Sequence, residues 1–461
     1  MGLFGIILSL GLLMYLAYRG INVLILAPLL AMLAVVLSGG LPIFATYTQL
    51  FMKALGNYII VYFPLFLLGA IFGKLMADSG SARAIAEWIV GKLGPDHAIS
   101  AIVLSCGVLT YGGVSLFVVA FAIYPISAAL FRSATIPKRL IPAAIALGSF
   151  TFTMTALPGT PAIQNAIPMP FFGTTPFAAP FMGLLAGAIM FFGGVAWLNR
   201  RAKTAIAAGE GYGTHPRTDA DSALAEDAQL PSFAVAVAPA VLVIALNALF
   251  TYVIIPNMDT SYLARPEYGN TPLTSVRGIW AIIGALVISI LAVIALNYNR
   301  LTTLKDTINK GTMGSLLPIF NTASEVGYGA VIASLPAFLV VRDAVLGIAP
   351  DQPLISLAVA VNVLAGITGS ASGGMSIALQ TLGEQFNAMG TAAGISPGMM
   401  HRVTVLSSGG FDALPHNGAV ITLLGICGLT HRQSYADIFV VAVAIPVVAT
   451  VVVVALGSFG L

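Results

Sequence analysis

The chain has 461 residues, 58% of them hydrophobic and 8% charged, with a formal net charge of +3 and a mean hydropathy of +0.97. So little charged surface cannot keep a globule of this size in water, so lipid is the solvent for most of the chain. The small charge excess excludes nucleic-acid binding, and short Lys and Arg clusters between apolar runs suit orientation in a membrane.

A spanning helix needs roughly 20 apolar residues. In chain order such spans are predicted at 2–18, 21–38, 58–77, 140–168, 170–197, 233–255, 278–297, 312–341, 402–428 and 437–458. The first run has no basic segment before it and no small-residue cleavage site, so it is expected to stay as a helix. Two longer apolar stretches, 99–131 and 353–383, are interrupted at their centres by small residues, and each is predicted to be a re-entrant helical hairpin. The polar stretch 199–232, opening with Asn199-Arg200-Arg201-Ala202-Lys203, reads as a cytoplasmic linker between two halves, 1–198 and 233–461. Cys106 and Cys427 lie inside apolar runs and read as small packing residues.

With the N-terminus periplasmic, cytoplasmic segments receive Arg19, Lys74, Arg83, Lys92, Arg132, Lys138, Arg139, Arg200, Arg201, Lys203, Arg217, Arg300, Lys305, Lys310 and Arg432. Lys53, Arg265, Arg277, Arg342 and Arg402 are then outside, and 15 against 5 favours this orientation. It returns 99–131 to the cytoplasm and makes 353–383 dip from the periplasm.

The two halves match each other. Tyr111-Gly112-Gly113-Val114-Ser115-Leu116 pairs with Ser372-Gly373-Gly374-Met375-Ser376-Ile377 at the hairpin centres, and Ala156-Leu157-Pro158 pairs with Ala413-Leu414-Pro415. From the second glycine to that proline the spacing is 45 residues in one half and 41 in the other, with Pro137 or Pro397 between them. The expected fold is therefore an all-α polytopic membrane protein of two inverted-topology repeats. Each repeat holds three spans, a hairpin, a broken span and a final span.

Paired breaks of this kind point to a binding site, because unpaired backbone is tolerated at membrane depth only against protein or a water-filled cavity. A helix restarting after a break also presents N–H groups and partial positive charge to a carboxylate. The candidate substrate-binding residues in the first half are Thr110, Tyr111, Gly112, Gly113, Ser115, Thr155, Gly159, Thr160, Gln164 and Asn165. In the second half they are Thr368, Ser370, Ser372, Gly373, Gly374, Ser376, His416 and Asn417. The bland alternative for each small residue is close helix packing. Ionisable groups at this depth are functional by default, which makes His416, Asp412 and Glu325 the candidate proton-coupling residues. For His416 the competing role is a neutral ring that shapes the break, and for Glu325 a protonated packing partner. His97, His215 and His431 fall in predicted loops, and His401 borders a span.

At Tyr111-Gly112-Gly113-Val114-Ser115-Leu116-Phe117, at 157–165 and at 410–420 the chain resembles the gluconate permease (GntP) family of the ion transporter superfamily, over essentially its whole length. The resemblance implies proton-coupled uptake of a small hydroxy-carboxylate across the bacterial inner membrane, with hairpin tips and broken helices forming the site. It also implies a homodimer with the early spans of each half as scaffold. Gluconate-type members carry a His-Pro-Gly-Pro-Thr-like first break, whereas Pro158-Gly159-Thr160-Pro161 has no histidine. The pattern is more similar to the branch labelled D-3-hydroxybutyrate permease.

Sodium held by exposed backbone carbonyls is the competing coupling ion. An intramembrane hydrolase built from Ser372, His416 and Asp412 is the competing class, but the chain has neither a zinc motif nor a nucleophile elbow. No Walker lysine motif is present, and no enzyme activity, metal or cofactor is expected.

Overall fold

The computed structural model describes residues 2–214 and 229–460, so His215, Arg217 and the middle of the predicted linker lie outside the described residues. Among the described residues the regular secondary structure is all helical, without strands. Six helices among the described residues are long and apolar enough to cross a membrane, or up to eight if each of two sharply bent pairs is one span.

The order of elements recurs in the two halves. Gly2–Tyr18 and Val23–Ser38 are followed by one long helix over Ile43–Asp78, a short helix Ser81–Leu93, and a hairpin of Ala98–Tyr111 and Leu116–Ser133. The second half has Phe233–Asn257 and Leu273–Leu296, then the long Leu304–Ser334, the short Phe338–Leu346, and a hairpin of Pro353–Thr368 and Ala371–Ala392. Each hairpin leads into a broken helix, Ile141–Phe150 or Pro397–Ser408 before the break, and each half closes on a long helix, Pro180–Ala207 or His431–Ser458.

Several predicted boundaries move for identifiable reasons. The span at 58–77 starts at Ile43, because Thr46–Phe51 carries polar residues yet continues the helix through a π-turn. The span at 312–341 ends at Ser334, where Leu335-Pro336-Ala337 turns the chain by 97° into Phe338–Leu346. A 106° bend likewise separates Ser81–Leu93 from the first hairpin. Neither short helix is among the predicted elements. The span at 170–197 starts only at Pro180, since left-handed backbone at Gly173 ends the one-turn helix Met169–Phe172, and Pro176 and left-handed Ala179 delay the next start. The second hairpin turns at Gly369 and Ser370, and Gly373 and Gly374 lie inside the helix that follows. With that register Gly113 precedes Pro158 by 45 residues and Gly369 precedes Pro415 by 46, a closer match than the sequence pairing provides. Both turns need a glycine, because Gly113 has φ +98° and Gly369 φ +65°.

The two long helices cross tightly. Gly311 lets Leu304–Ser334 approach Met52–Asp78 so closely that an added Cβ would lie 2.8 Å from the Ile71 Cα. In each half the first hairpin arm packs on the first part of its own broken helix. The second arm packs on the restarted helix of the other half, Leu116–Ser133 on Gly418–Cys427 and Ala371–Ala392 on Met169–Phe172.

Segments assigned to the cytoplasmic side meet one another. Thr307 donates to Asp78 at 2.7 Å, and Arg300 Nε donates to the Gln229 carbonyl at 3.2 Å. Asp437, 2% exposed, accepts from Arg139 at 3.0 Å, Arg201 at 2.9 Å and Trp197 at 3.1 Å. These contacts fasten the base of the first broken helix to both closing helices. Arg139 also donates to Glu210 at 2.7 and 3.0 Å, and that hydrogen bonding holds the Glu210 carboxyl below its ordinary value. Because the folded-state value is depressed, this exposed pair's contribution, under about 1 kcal/mol, is present at neutral pH and is lost as the pH falls into the carboxylate range.

Asp437→Asn leaves two arginines without their buried acceptor charge. It is expected to destabilise the protein by about 2 kcal/mol, a value discounted because both arginines reach water. The thermal midpoint in detergent should fall, and an unchanged midpoint would remove this cluster from the account.

Candidate functional site

Each break frees backbone carbonyls, and side chains from other elements satisfy them. At the first break Tyr111, on the hairpin tip, donates to the Pro158 carbonyl at 2.7 Å, and Asn247 donates to the Gly159 carbonyl at 2.9 Å. Asn165 donates to Thr160 at 3.1 Å and to Pro176 at 2.9 Å. Arg402 donates to the Thr155 carbonyl at 3.2 Å and twice to the Ala178 carbonyl, at 2.8 and 3.2 Å. Gly113 seats the hairpin tip against Pro161, where a Cβ would lie 3.1 Å from the proline ring.

At the second break Asn417 caps the restarted helix by accepting from Val420 N at 2.9 Å, and its amide donates to the Gly369 carbonyl at 2.9 Å. Tyr435 donates to the Ala413 carbonyl at 3.1 Å, and His431 Nε2 lies 2.8 Å from the Pro415 carbonyl. The His416 ring covers Gly369, so that a Cβ there would come within 2.8 Å of the imidazole. His431, predicted to be an incidental loop residue, therefore braces the break.

The two breaks touch. Gly409 faces Thr155, where a Cβ would lie 2.7 Å from the threonine methyl, and Arg402 reaches across to the Thr155 carbonyl. His401 completes the bridge, with Nε2 3.2 Å from Asn165 Oδ1 and Nδ1 2.6 Å from Thr174 Oγ1. The Asn165 amide nitrogen already donates to two carbonyls, so its oxygen accepts from His401 Nε2 and Thr174 donates to Nδ1. Arg402, assigned to the outside by the charge count, is fully buried, and so is His401. A lone Arg at the edge of an apolar run reads as a border residue in sequence. The helix instead begins at Pro397, which carries both side chains inward.

Glu325 joins the second hairpin. It lies in the Leu304–Ser334 helix, 3% exposed, against Gly373, where any Cβ would collide with its carboxylate. Ser370 caps the hairpin helix by accepting from Gly373 N at 3.0 Å and lies 3.4 Å from Ser372, which is 3.3 Å from Thr322. Tyr58, absent from the sequence-level candidates, brings its hydroxyl into the electrostatic neighbourhood of Glu325 from the long helix of the first half, without a hydrogen bond to it. Its signal in the sequence was only an aromatic in a span. One Glu325 oxygen, one Asp412 oxygen, the Ser376 and Tyr58 hydroxyls and His416 Nε2 are buried without hydrogen-bond partners.

The predicted residues thus form two groups that meet at Thr155 and Gly409. Tyr111, Gly112, Gly113, Gly159, Thr160 and Asn165 belong to the first, and Ser370, Ser372, Gly373, His416 and Asn417 to the second, with Glu325 beside it. Asn165, Asn417 and Thr368 use their side chains on backbone groups, Thr368 donating toward the Leu364 carbonyl at 2.9 Å. Gly112 and Gly374 are packing positions, backed by Ala240 and by the Ala365 backbone. Thr110 has a buried hydroxyl without a partner, Thr155 bonds its own helix at 3.1 Å, and Ser115 and Gln164 are partly exposed. Among the described residues no hydrogen bond joins Asp412, His416 and Glu325 to one another, and Ser372 bonds Thr322 and Ser370, not His416. The geometry of a hydrolytic triad is not assembled. No group of three or more His, Cys, Asp or Glu side chains among the described residues is placed to hold a metal.

Gly373→Ala is expected to abolish transport by forcing Glu325 from its place, at a cost of about 1–3 kcal/mol in overpacking. Gly418→Ala, with open space around it, should be neutral. Wild-type transport by a folded Gly373→Ala variant would show that this contact is dispensable.

A family model described as GntP family permease matches residues 1–395. A transporter of Bacillus subtilis, YxjC, is 47% identical over 447 residues, 95% of this chain and 94% of the relative. A transporter of Haemophilus influenzae is 30% identical over 189 residues, 40% of this chain and 42% of the relative. Among solved structures the YdaH transporter of Alcanivorax borkumensis superposes with a TM-score of 0.55 at 17% identity, covering 89% of this chain and 88% of that one. MtrF of Neisseria gonorrhoeae, from a class of antimetabolite efflux pumps, does so with a TM-score of 0.55 at 12% identity, covering 90% and 84%. These two likenesses bear on the fold.

Proposed function

The chain belongs to the GntP family of permeases, a multi-pass transporter of the inner membrane and not an enzyme, and on that premise we propose that it imports a short hydroxy-carboxylate by proton symport and alternating access. The observation that carries this reading is the pair of buried carboxylates, Glu325 and Asp412, each with an oxygen that has no partner and neither with a cation in ion-pair reach among the described residues. Charge at membrane depth is tolerated when it is paired, neutralised or part of a pathway. His416, with a buried unpartnered nitrogen at the second hairpin tip, is the third candidate carrier.

The substrate reading rests on the first break, which lacks the histidine of gluconate-type members and offers few hydroxyls. A short anion such as D-3-hydroxybutyrate suits it better than a polyhydroxylated acid. Recurrence of the element order supports two inverted repeats, 1–198 and 233–461, with the crossed long helices as scaffold and the hairpins and broken helices as the carrying part. Sodium is the second reading, favoured by the linked hydroxyls of Ser370, Ser372 and Thr322 at the second hairpin beside Glu325.

Proteoliposomes with an inward proton gradient and no sodium are expected to accumulate labelled D-3-hydroxybutyrate. Glu325→Gln or Asp412→Asn should reduce gradient-driven uptake by about tenfold or more while keeping counterflow, and His416→Ala should lose uptake. Accumulation that requires sodium and ignores the proton gradient would overturn proton coupling.

A further inference from the structure

The two halves of the site differ in charge. The second break and its hairpin hold Glu325 and Asp412, with no lysine or arginine paired to either among the described residues. The first break holds Arg402, 0% exposed, and no carboxylate lies within ion-pair distance of it among the described residues. Three bonds to the Thr155 and Ala178 carbonyls satisfy part of its guanidinium. A guanidinium carries five N–H donors, so one hydrogen on each terminal nitrogen is left without an acceptor. Carbonyl dipoles offset the desolvation of this charge, but they do not neutralise it.

We infer that Arg402 is the anchor for the carboxylate of the transported anion, which supplies the missing negative charge at the first break. Three further observations converge on this. Arg402 projects from Pro397–Ser408 across to the first break, so one residue reads the substrate while holding the two halves together. Tyr111, on the tip of the first hairpin, lies within the electrostatic reach of Arg402 and is tied by its hydroxyl to Pro158. Third, His401 beside it is held in a neutral tautomer by Asn165 and Thr174, so Arg402 supplies the cationic charge there. A planar fork with two free donors matches a carboxylate in a way a lysine ammonium does not. The anion is thus drawn to the first break and the coupling cation to the second, on either side of the Thr155–Gly409 contact.

This rests on the carboxylate reading above, and the test separates the two. Binding to purified full-length protein in detergent is measured for D-3-hydroxybutyrate and its neutral amide, in wild type and in Arg402→Lys and Arg402→Gln shown to be folded by size exclusion. Wild type should bind the acid and not the amide, and both variants should bind the acid at least about tenfold more weakly. Should the variants fail to fold, dipolar recoupling between ¹³C-carboxylate substrate and ¹⁵N-arginine wild type is expected to report a contact under about 4 Å. Acid binding by wild type with unchanged affinity in a folded Arg402→Lys variant, or with no recoupling to arginine, overturns the anchor and leaves the substrate class standing. Wild type that binds no carboxylate overturns both.

Discussion

Everything in this structure depends on one constraint, that backbone polar groups away from water must find partners. Two helices that would have crossed the membrane are interrupted instead, at 156–162 and 409–417. The carbonyls they release are met by Tyr111, Asn165, Asn247 and Arg402 at one break and by His431 and Tyr435 at the other, while Asn417 ties that break to the Gly369 carbonyl of the hairpin turn. Most of these donors come from other elements, so the breaks cannot be kept without the surrounding helices in place. The large crossing of Met52–Asp78 with Leu304–Ser334 provides that surrounding, and the hairpins close over it.

From this follows the division of labour. Where donors outnumber acceptors, at the first break, the surplus is positive and belongs to Arg402. Around the second hairpin the unpartnered oxygens belong to Glu325 and Asp412, the proposed carriers of the coupling cation. In the proposed mechanism this difference between the halves lets an anion and a coupling cation be held close together in one closed state. The contact between Thr155 and Gly409 gives the two loads a shared wall.

Much of this was legible in the sequence, because proline, glycine and apolar length act locally. The breaks at Pro158 and Pro415, the hairpins and the twofold order of elements follow from those signals alone. Elements whose cause is tertiary were not legible. The short helices Ser81–Leu93 and Phe338–Leu346 are too brief and mixed to stand out, and Thr46–Phe51 looks polar until its packing on the other long helix is known. The second hairpin turn was misplaced by four residues because Gly373-Gly374 imitates Gly112-Gly113 while serving to admit Glu325. Arg402 and His431 were read as an outside charge and a loop residue because sequence shows neighbours along the chain and not the carbonyls a side chain reaches across space.

The central claim is that binding of an anion at the first break is linked to binding of a proton at the second. Linkage requires that such coupling appear as proton exchange on ligand binding. The most direct measurement is proton uptake when D-3-hydroxybutyrate is added to purified wild-type protein in weakly buffered detergent solution near neutral pH. The account predicts net proton uptake on anion binding. Saturable binding of the anion with no proton taken up between about pH 6 and 8 would contradict it.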